Sequence, residues 1–426
     1  MKNLLLIVLY SVLSLLTANV INIPDDQPTI QAGIDIAVEG DTIFVSPGTY
    51  YENIEIFQKN DIHIIGSGAN VTTIDGNENG HVVNFNIASG SICEFSITNS
   101  GDDPLSSCGI FMSQSTTLIE SNIIENNCRG ISVSSFSEAQ IFNNEIVHNI
   151  GFRTILITSS IADISYNLVA DNLYSGIYND VWSTITILNN TIVGSNNHIG
   201  ITINATEQQI VRNNIICDFQ YGIFVLGDQQ STVPFVDIAY NDVWDNSIAD
   251  YWEEYGPLSN IYSQPFLPQP GTGEIHEDPF FVDPFYGDYN LLSTSPCIDA
   301  GDPNMPFDPD GTVSDIGAFY YHQNVDSYNY EILNSQVTLM NYPNPFNPLT
   351  KIEFSVNNDS NIDLSIYNLK GQKIKTLTNK EISKGNHSII WNGDDEFGNS
   401  VGSGIYFYNL KTNGKTEAVK KCLLLK

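Results

Sequence analysis

Between Ile110 and Val243 apolar and polar residues alternate in stretches of four to six, rich in β-branched residues and broken by Asn, Gly and Ser. A beat of two predicts short strands; a helix would need a period of 3.6 carried over longer runs. The stretches also repeat. Asn122, Asn144, Asn167, Asn190, Asn214 and Asn241 follow one another at steps of 22, 23, 23, 24 and 27 residues. Three residues before each stands Ile119, Ile141, Ile164, Ile187, Val211 or Ile238, and two after each stands Ile124, Ile146, Val169, Ile192, Ile216 or Val243. A second beat, Gly-Ile, falls between these units at Gly109, Gly130, Gly176, Gly200 and Gly222, with Thr154-Ile155 in the remaining slot. Single coils of this length cannot bury their apolar side, whereas stacked coils can, so the body is expected to be a right-handed parallel β-helix. Asparagines in register should pile up at the ~4.8 Å rung spacing and hydrogen-bond along the column. Asn also tolerates the left-handed backbone of such a corner.

The pattern changes at both ends. Thr29–Val38 carries Ile30, Ile34 and Val38 at helical spacing, which predicts a short amphipathic helix capping the open end of the stack. Gly33 should weaken that helix slightly. At the C-terminus, alternating segments at Lys351–Val356, Ile362–Tyr367, Ile374–Leu377, Ser388–Trp391 and Gly404–Leu410 are separated by turn signals and predict a small Ig-like β-sandwich. Lys2, the apolar run Leu4–Leu16 and the small residue Ala18 read as a secretory signal peptide, the run being shorter than the roughly 20 residues a span needs. The expected organisation is therefore all-β: a signal peptide at 1–18, the β-helix at 19–320, a linker at 321–341 and the sandwich at 342–426.

Residues 23–76 resemble the opening of right-handed β-helix proteins of the pectin-lyase-like superfamily. The matching stretches include Ile23-Pro24-Asp25-Asp26, Thr29–Asp35, Gly40-Asp41-Thr42-Ile43, Pro47-Gly48-Thr49-Tyr50, Ile64-Ile65-Gly66 and Ile74-Asp75-Gly76. Asp278–Pro284, Ser295–Asp302, Asp308–Thr312 and Asp315–Phe319 resemble the closing segment of many secreted bacterial β-helix proteins. The last ~85 residues, a small sandwich, resemble the type A sorting domain of type IX secretion cargo, through Tyr342–Pro348, Asp363–Asn368, Gly371-Gln372-Lys373, Trp391-Asn392-Gly393, Ser403–Tyr408 and Leu423–Lys426. That resemblance implies engagement with the outer-membrane secretion machinery and release or attachment at the cell surface. Cys422 stands where such tails more often have Met.

The chain carries 16 basic and 49 acidic residues, a formal charge of −33. From Asn60 to Thr350 there are 34 acids and three bases, Arg129, Arg153 and Arg212, while from Lys351 onward 11 lysines face eight acids. Such a body cannot release phosphate counterions, which excludes nucleic acid as a partner. Six cysteines in 426 residues are too few for a disulfide scaffold. Cys93, Cys108 and Cys128 lie on successive turns, so one bridge or separate buried thiols both fit.

Fold resemblance does not transfer chemistry. No Gln-Ala-Val-like segment or Gln-Asp-Thr turn matches pectin methylesterases. On the Gly-Ile strand, alternation points Phe111, Ser132, Leu156, Tyr178, Thr202 and Phe224 outward. In the next outward column, Ser113, Ser134, Thr158, Asp180 and Asn204, only Asp180 is a carboxylate, so it is the sole catalytic candidate. Arg129 and Arg153 share a column on adjacent rungs and form a candidate anion site. Otherwise Glu125, Glu145 or Asp171 should offset their mutual repulsion. Tyr174, Tyr178 and Trp182 around Asp180, and Trp244, Tyr251 and Trp252 after Asn241 (with Tyr255), provide rings beside polar groups, the composition of a sugar-binding face. Rings packed on their own loops would look the same. Asp302, Asp308, Asp310 and Asp315 suit Ca²⁺ by composition but lack the spacing of an EF-hand loop, and Asp-Gly turns capping the stack by hydrogen bonds among themselves account for them better. The expected protein is a secreted or surface-sorted monomer that binds polysaccharide or serves as a structural or adhesive module. The alternative is a polysaccharide hydrolase or lyase with loop-borne carboxylates.

Overall fold

Short β-branched strands broken by Asn, Gly and Ser bend the chain three times per coil, and the coils stack. The computed structural model describes residues 19–103, 107–204, 209–227, 236–256, 261–268, 272–323, 339–342, 346, 348–356, 358–368, 372–402, 404–413 and 415–424. The expected signal peptide, most of the expected linker and much of the Tyr342–Pro348 motif lie outside these residues. One unit spans residues 21–333, and the other holds 334–426.

In the first unit the coiled strands build three sheets, numbered here in the order the chain visits them, and Phe281–Asp283 pairs with Asp288–Leu291 in a separate two-stranded sheet. Sheet 1 has ten strands, from Val20–Ile23 to Val236–Ala239; sheet 2 has nine, from Gly48–Tyr51 to Asp242–Trp244; sheet 3 has ten, from Ile54–Phe57 to Tyr262–Pro265. Apart from the final pair of sheet 3, neighbouring strands are parallel and in register, as in Ile110↔Ile131↔Ile155↔Ile177↔Ile201↔Ile223. The body is a right-handed parallel β-helix. Its interior is a continuous aliphatic core from Ile21 to Val243 that includes all twelve aliphatics flanking the six asparagines.

The corners are hydrogen-bonded columns. Between sheets 1 and 2, Asn144 Nδ2 donates to Ile119 O (2.9 Å) on the preceding rung and to Phe142 O (3.1 Å) on its own, while its Oδ1 accepts from Asn122 N (3.0 Å). Asn122, Asn167, Asn190, Asn214 and Asn241 repeat the scheme. Asn127, Asn149 and Asn172 form a second column between sheets 2 and 3. Ser115, Ser137, Ser160 and Ser183 form a third between sheets 3 and 1. Sequence reading identified the first column and missed the other two.

At the N-terminal end, helix Ile30–Ile36 buries Ile30, Gly33 and Ile34. Thr29 caps it, and the Glu52 carboxylate accepts from Ile30 N and Gln31 N at 2.9 Å each. The helix is shorter than the spacing predicted. Ala37 turns extended, and Val38 is exposed. Gly33 has a packing reason, since a Cβ there would meet Ile23 Cδ1 at 2.9 Å. At the other end, Tyr262–Pro265 pairs antiparallel with Ala249–Tyr255. Glu274 takes the next place in the asparagine column, its Oε1 accepting from Asn241 N and Nδ2 at 3.1 Å each.

The closing segment does not cap the stack as the sequence led us to expect. Tyr289, Leu291, Cys297 and Ile316 fold back onto the outer face of sheet 2, against Leu168, Ala170, Val193, Ile215 and Cys217. That face carries apolar residues where an exposed sheet would carry polar ones, and the returning segment covers them.

The second unit contains two antiparallel sheets: Leu339–Tyr342, Thr350–Val356 and Gly385–Trp391; and Lys373–Ile382, Ser360–Asn368, Gly404–Thr412 and Lys415–Leu424. Trp391, Phe354, Leu364, Tyr408 and Leu424 are among its buried core. The first and last of these strands were not anticipated.

Candidate functional site

The outward column of sheet 3 runs Asn84, Phe111, Ser132, Leu156, Tyr178, Thr202, Phe224, Trp252, as alternation predicts. Its side chains are not equally exposed. Ser132, Thr202 and Phe224 are buried, while Phe111, Leu156, Tyr178 and Trp252 are partly open. The rings form two groups. Near the middle, the Arg153 guanidinium lies 3.6 Å from the Tyr178 ring centroid, a contact worth about 0.5–2 kcal/mol depending on desolvation. Toward the C-terminal end, Tyr221 meets Phe224 edge-on at 5.2 Å and Trp252 at 5.5 Å. Trp252 Nε1 donates to Ser263 Oγ (2.9 Å), which donates to Glu254 (2.8 Å).

The two arginines do share a column but meet different surroundings. Arg129 is buried, with Nη1 3.9 Å from Cys108 Sγ. Burial, with Arg129 alongside, holds the His81 imidazole below its ordinary pKa, and His81 stacks on Phe111 at 4.3 Å. Burial also pushes the Cys108 thiol up to about 11, so it stays protonated. The carboxylates expected to offset the pair do not serve Arg153. Glu125 and Glu145 belong to sheet 2, and Asp171 accepts from the Tyr289 hydroxyl at 3.3 Å. Tyr178 takes that place.

Several expected ring positions move. Tyr251 is not on the face: it continues the inward column after Ile223, is 2 % exposed, and packs on Phe266 and His276. Trp244 lies on sheet 2 beside Cys217, away from sheet 3. Trp182 stands on the corner between sheets 3 and 1, 74 % exposed. Tyr174 sits in a corner ladder between Phe152 and His198, at 4.7 and 4.6 Å. Tyr255 stacks on Tyr262 at 5.5 Å. Of the candidates, the structure thus brings Arg153, Tyr178, Asp180 and Trp252 together on one face, with Tyr221 and Phe224 added.

Asp180 Oδ1 accepts from Val181 N in its own turn (2.9 Å). Down its column come Asn204, Leu226 and Glu254. Glu254, the next carboxylate there among the described residues, is therefore three rungs away, about 14 Å, which exceeds the roughly 5–9.5 Å of glycosidase carboxylate pairs.

The four aspartates proposed for calcium are engaged in turns. Asp302 accepts from Asn304 N and from Arg212; Asp308 from Asp315 N; Asp310 from Thr312 N and Gln323 N; Asp315 from Asp299 N and Tyr321 N. Arg212 also grips Asp237 of sheet 1 at 2.8 Å, tying the closing segment to the stack. Among the described residues no three His, Cys, Asp or Glu side chains gather as metal ligands, and no disulfide links the cysteines. No helix among these residues is long and apolar enough to cross a membrane.

Residues 34–214 are similar to the family described as periplasmic copper-binding protein (NosD), and residues 348–415 to the FlgD Ig-like domain. The copper belongs to that family's description; among the described residues here no cluster of ligand side chains fits such an ion. No curated protein matches the chain. A solved structure of a pectin methylesterase variant in complex with a hexasaccharide is similar over 65 % of this chain and 99 % of its own, at 9 % identity and a TM-score of 0.28.

Proposed function

We propose that this is an exported β-helix protein that holds polysaccharide against the outer face of sheet 3 without turning it over. The observation that carries this reading is the row of rings on that face: Tyr178 backed by Arg153, then Tyr221, Phe224 and Trp252 on adjacent rungs. Tyr178, Tyr221 and Trp252, partly exposed on a rigid ladder with the buried Phe224 packed against Tyr221, offer flat apolar patches to sugar rings, and Asp180, Asn204 and Ser263 supply hydrogen-bonding groups beside them. The distance from Asp180 to the next carboxylate of its column favours binding over hydrolysis. Export is supported by the Leu4–Leu16 segment and by the type IX-like tail.

A glycan array and a reducing-sugar release assay on the full chain test this reading. The expected result is retention of at least one polysaccharide with no sugar release, and a loss of affinity of about tenfold or more in Trp252→Ala and Tyr178→Ala. Release of sugar that disappears in Asp180→Asn would establish the hydrolase reading instead.

A further inference from the structure

Sheet 1 carries a groove that the functional reading above does not use. It has a volume of about 530 Å³. Leu118, Gln140 and Asp163 line it from one outward column, and Glu120, Phe142 and Leu188 from the next. The groove spans four rungs, about 14 Å between the outer ones. Phe142 is 37 % exposed and braced edge-on by Tyr166 at 5.6 Å.

We propose that this groove binds an amine-bearing oligosaccharide, a chain of glucosamine-type sugars. A ring and two leucines give the apolar floor that sugar faces stack on, and Gln140, Glu120 and Asp163 project polar groups along it. The charge selects the sugar. Glu120 and Asp163 face the groove, and the nearest cation on this sheet, Arg212 beside Leu188, is already held by Asp237 and Asp302. Among the described residues a uronate would meet two carboxylates and no free cation here; an ammonium group meets complementary charge. A peptide fits less well. The strands below the groove are paired on both sides within a ten-stranded sheet, so an extended peptide finds no open edge to add to.

Calorimetric titration of the full chain with glucosamine tetramer, galacturonate tetramer and tetralysine tests the assignment. The glucosamine tetramer is expected to bind, to weaken as salt rises, and to lose about tenfold in affinity in the Glu120→Gln/Asp163→Asn double variant. Both substitutions are isosteric and on the surface, and an unchanged melting temperature confirms the fold. Affinity unchanged in the double variant overturns the proposal. So does galacturonate or tetralysine binding as tightly as the glucosamine tetramer, or no binding of glucosamine at all. Trp252→Ala separates the two faces: it is expected to leave glucosamine binding intact, and loss there would move the ligand to sheet 3.

Discussion

Asn179 stands in an aliphatic column of sheet 3, between Ile157 and Ile203, with no exposed surface and no protein partner for either amide atom. Each buried polar atom without a partner costs about 1–3 kcal/mol. Replacing it with Val should therefore raise stability by roughly 1–2 kcal/mol after allowing for the slightly bulkier branched side chain, read as an upward shift in melting temperature. The contrast with Asn144, a residue of the same type with its amide fully engaged, lies in register. Six asparagines in step declare themselves in the sequence, whereas one that falls on an inward strand position does not. Tyr251 was misread for the same reason. The 27-residue final step leaves parity ambiguous, and only the pairing with Ile223 shows that the ring points inward. The second asparagine column escaped notice because Ser195 and Phe219 interrupt it, and the serine column because serine is common everywhere in this chain.

Among the elements, the strands and their stacking into a parallel β-helix were legible, because β-branched alternation and a fixed step leave few other solutions. The path of the closing segment was not. Its Asp-Pro and Gly-rich stretches announce turns without saying where the turns dock. Its attachment makes a measurable demand. Burial pushes Asp242, which contacts Cys297 of the closing segment, up to about 6, and likewise Asp315 within it. For a carboxyl whose folded pKa lies above its unfolded value, the native state binds more protons between the two, so stability rises as pH falls through that window. Lowering the pH from 7 to 5 should stabilise the body by roughly 1 kcal/mol per carboxyl, the rest of the gain coming only as the pH falls on toward the unfolded value of about 4. Asp242→Asn should flatten its share of the dependence, as denaturant titrations at the two pH values would reveal; a slope unaffected by Asp242→Asn and Asp315→Asn would remove this account. The groove on sheet 1 was illegible for another reason, since Leu118, Gln140 and Phe142 look like ordinary surface positions until the rungs bring them side by side.

Over the whole molecule, the charge is divided with the architecture: most of the acidic residues belong to the β-helix, and all the lysines but Lys2 and Lys59 to the C-terminal sandwich. Under the proposed export route, deleting residues 342–426 should leave the β-helix folded but held in the periplasm, as fractionation and circular dichroism would show; surface delivery of the truncated chain would end that part of the reading. A repeat stacked by identical corners has no intrinsic reason to stop, because each finished rung is a template for the next. Here the last asparagine meets Glu274 instead of another amide, and the final strand of sheet 3 is answered by a chain running the opposite way. A neighbouring molecule thus finds a carboxylate and a reversed strand where it would need an amide and a parallel edge. The columns that build the protein are thereby kept from threading separate molecules into a fibre, even where many copies crowd together.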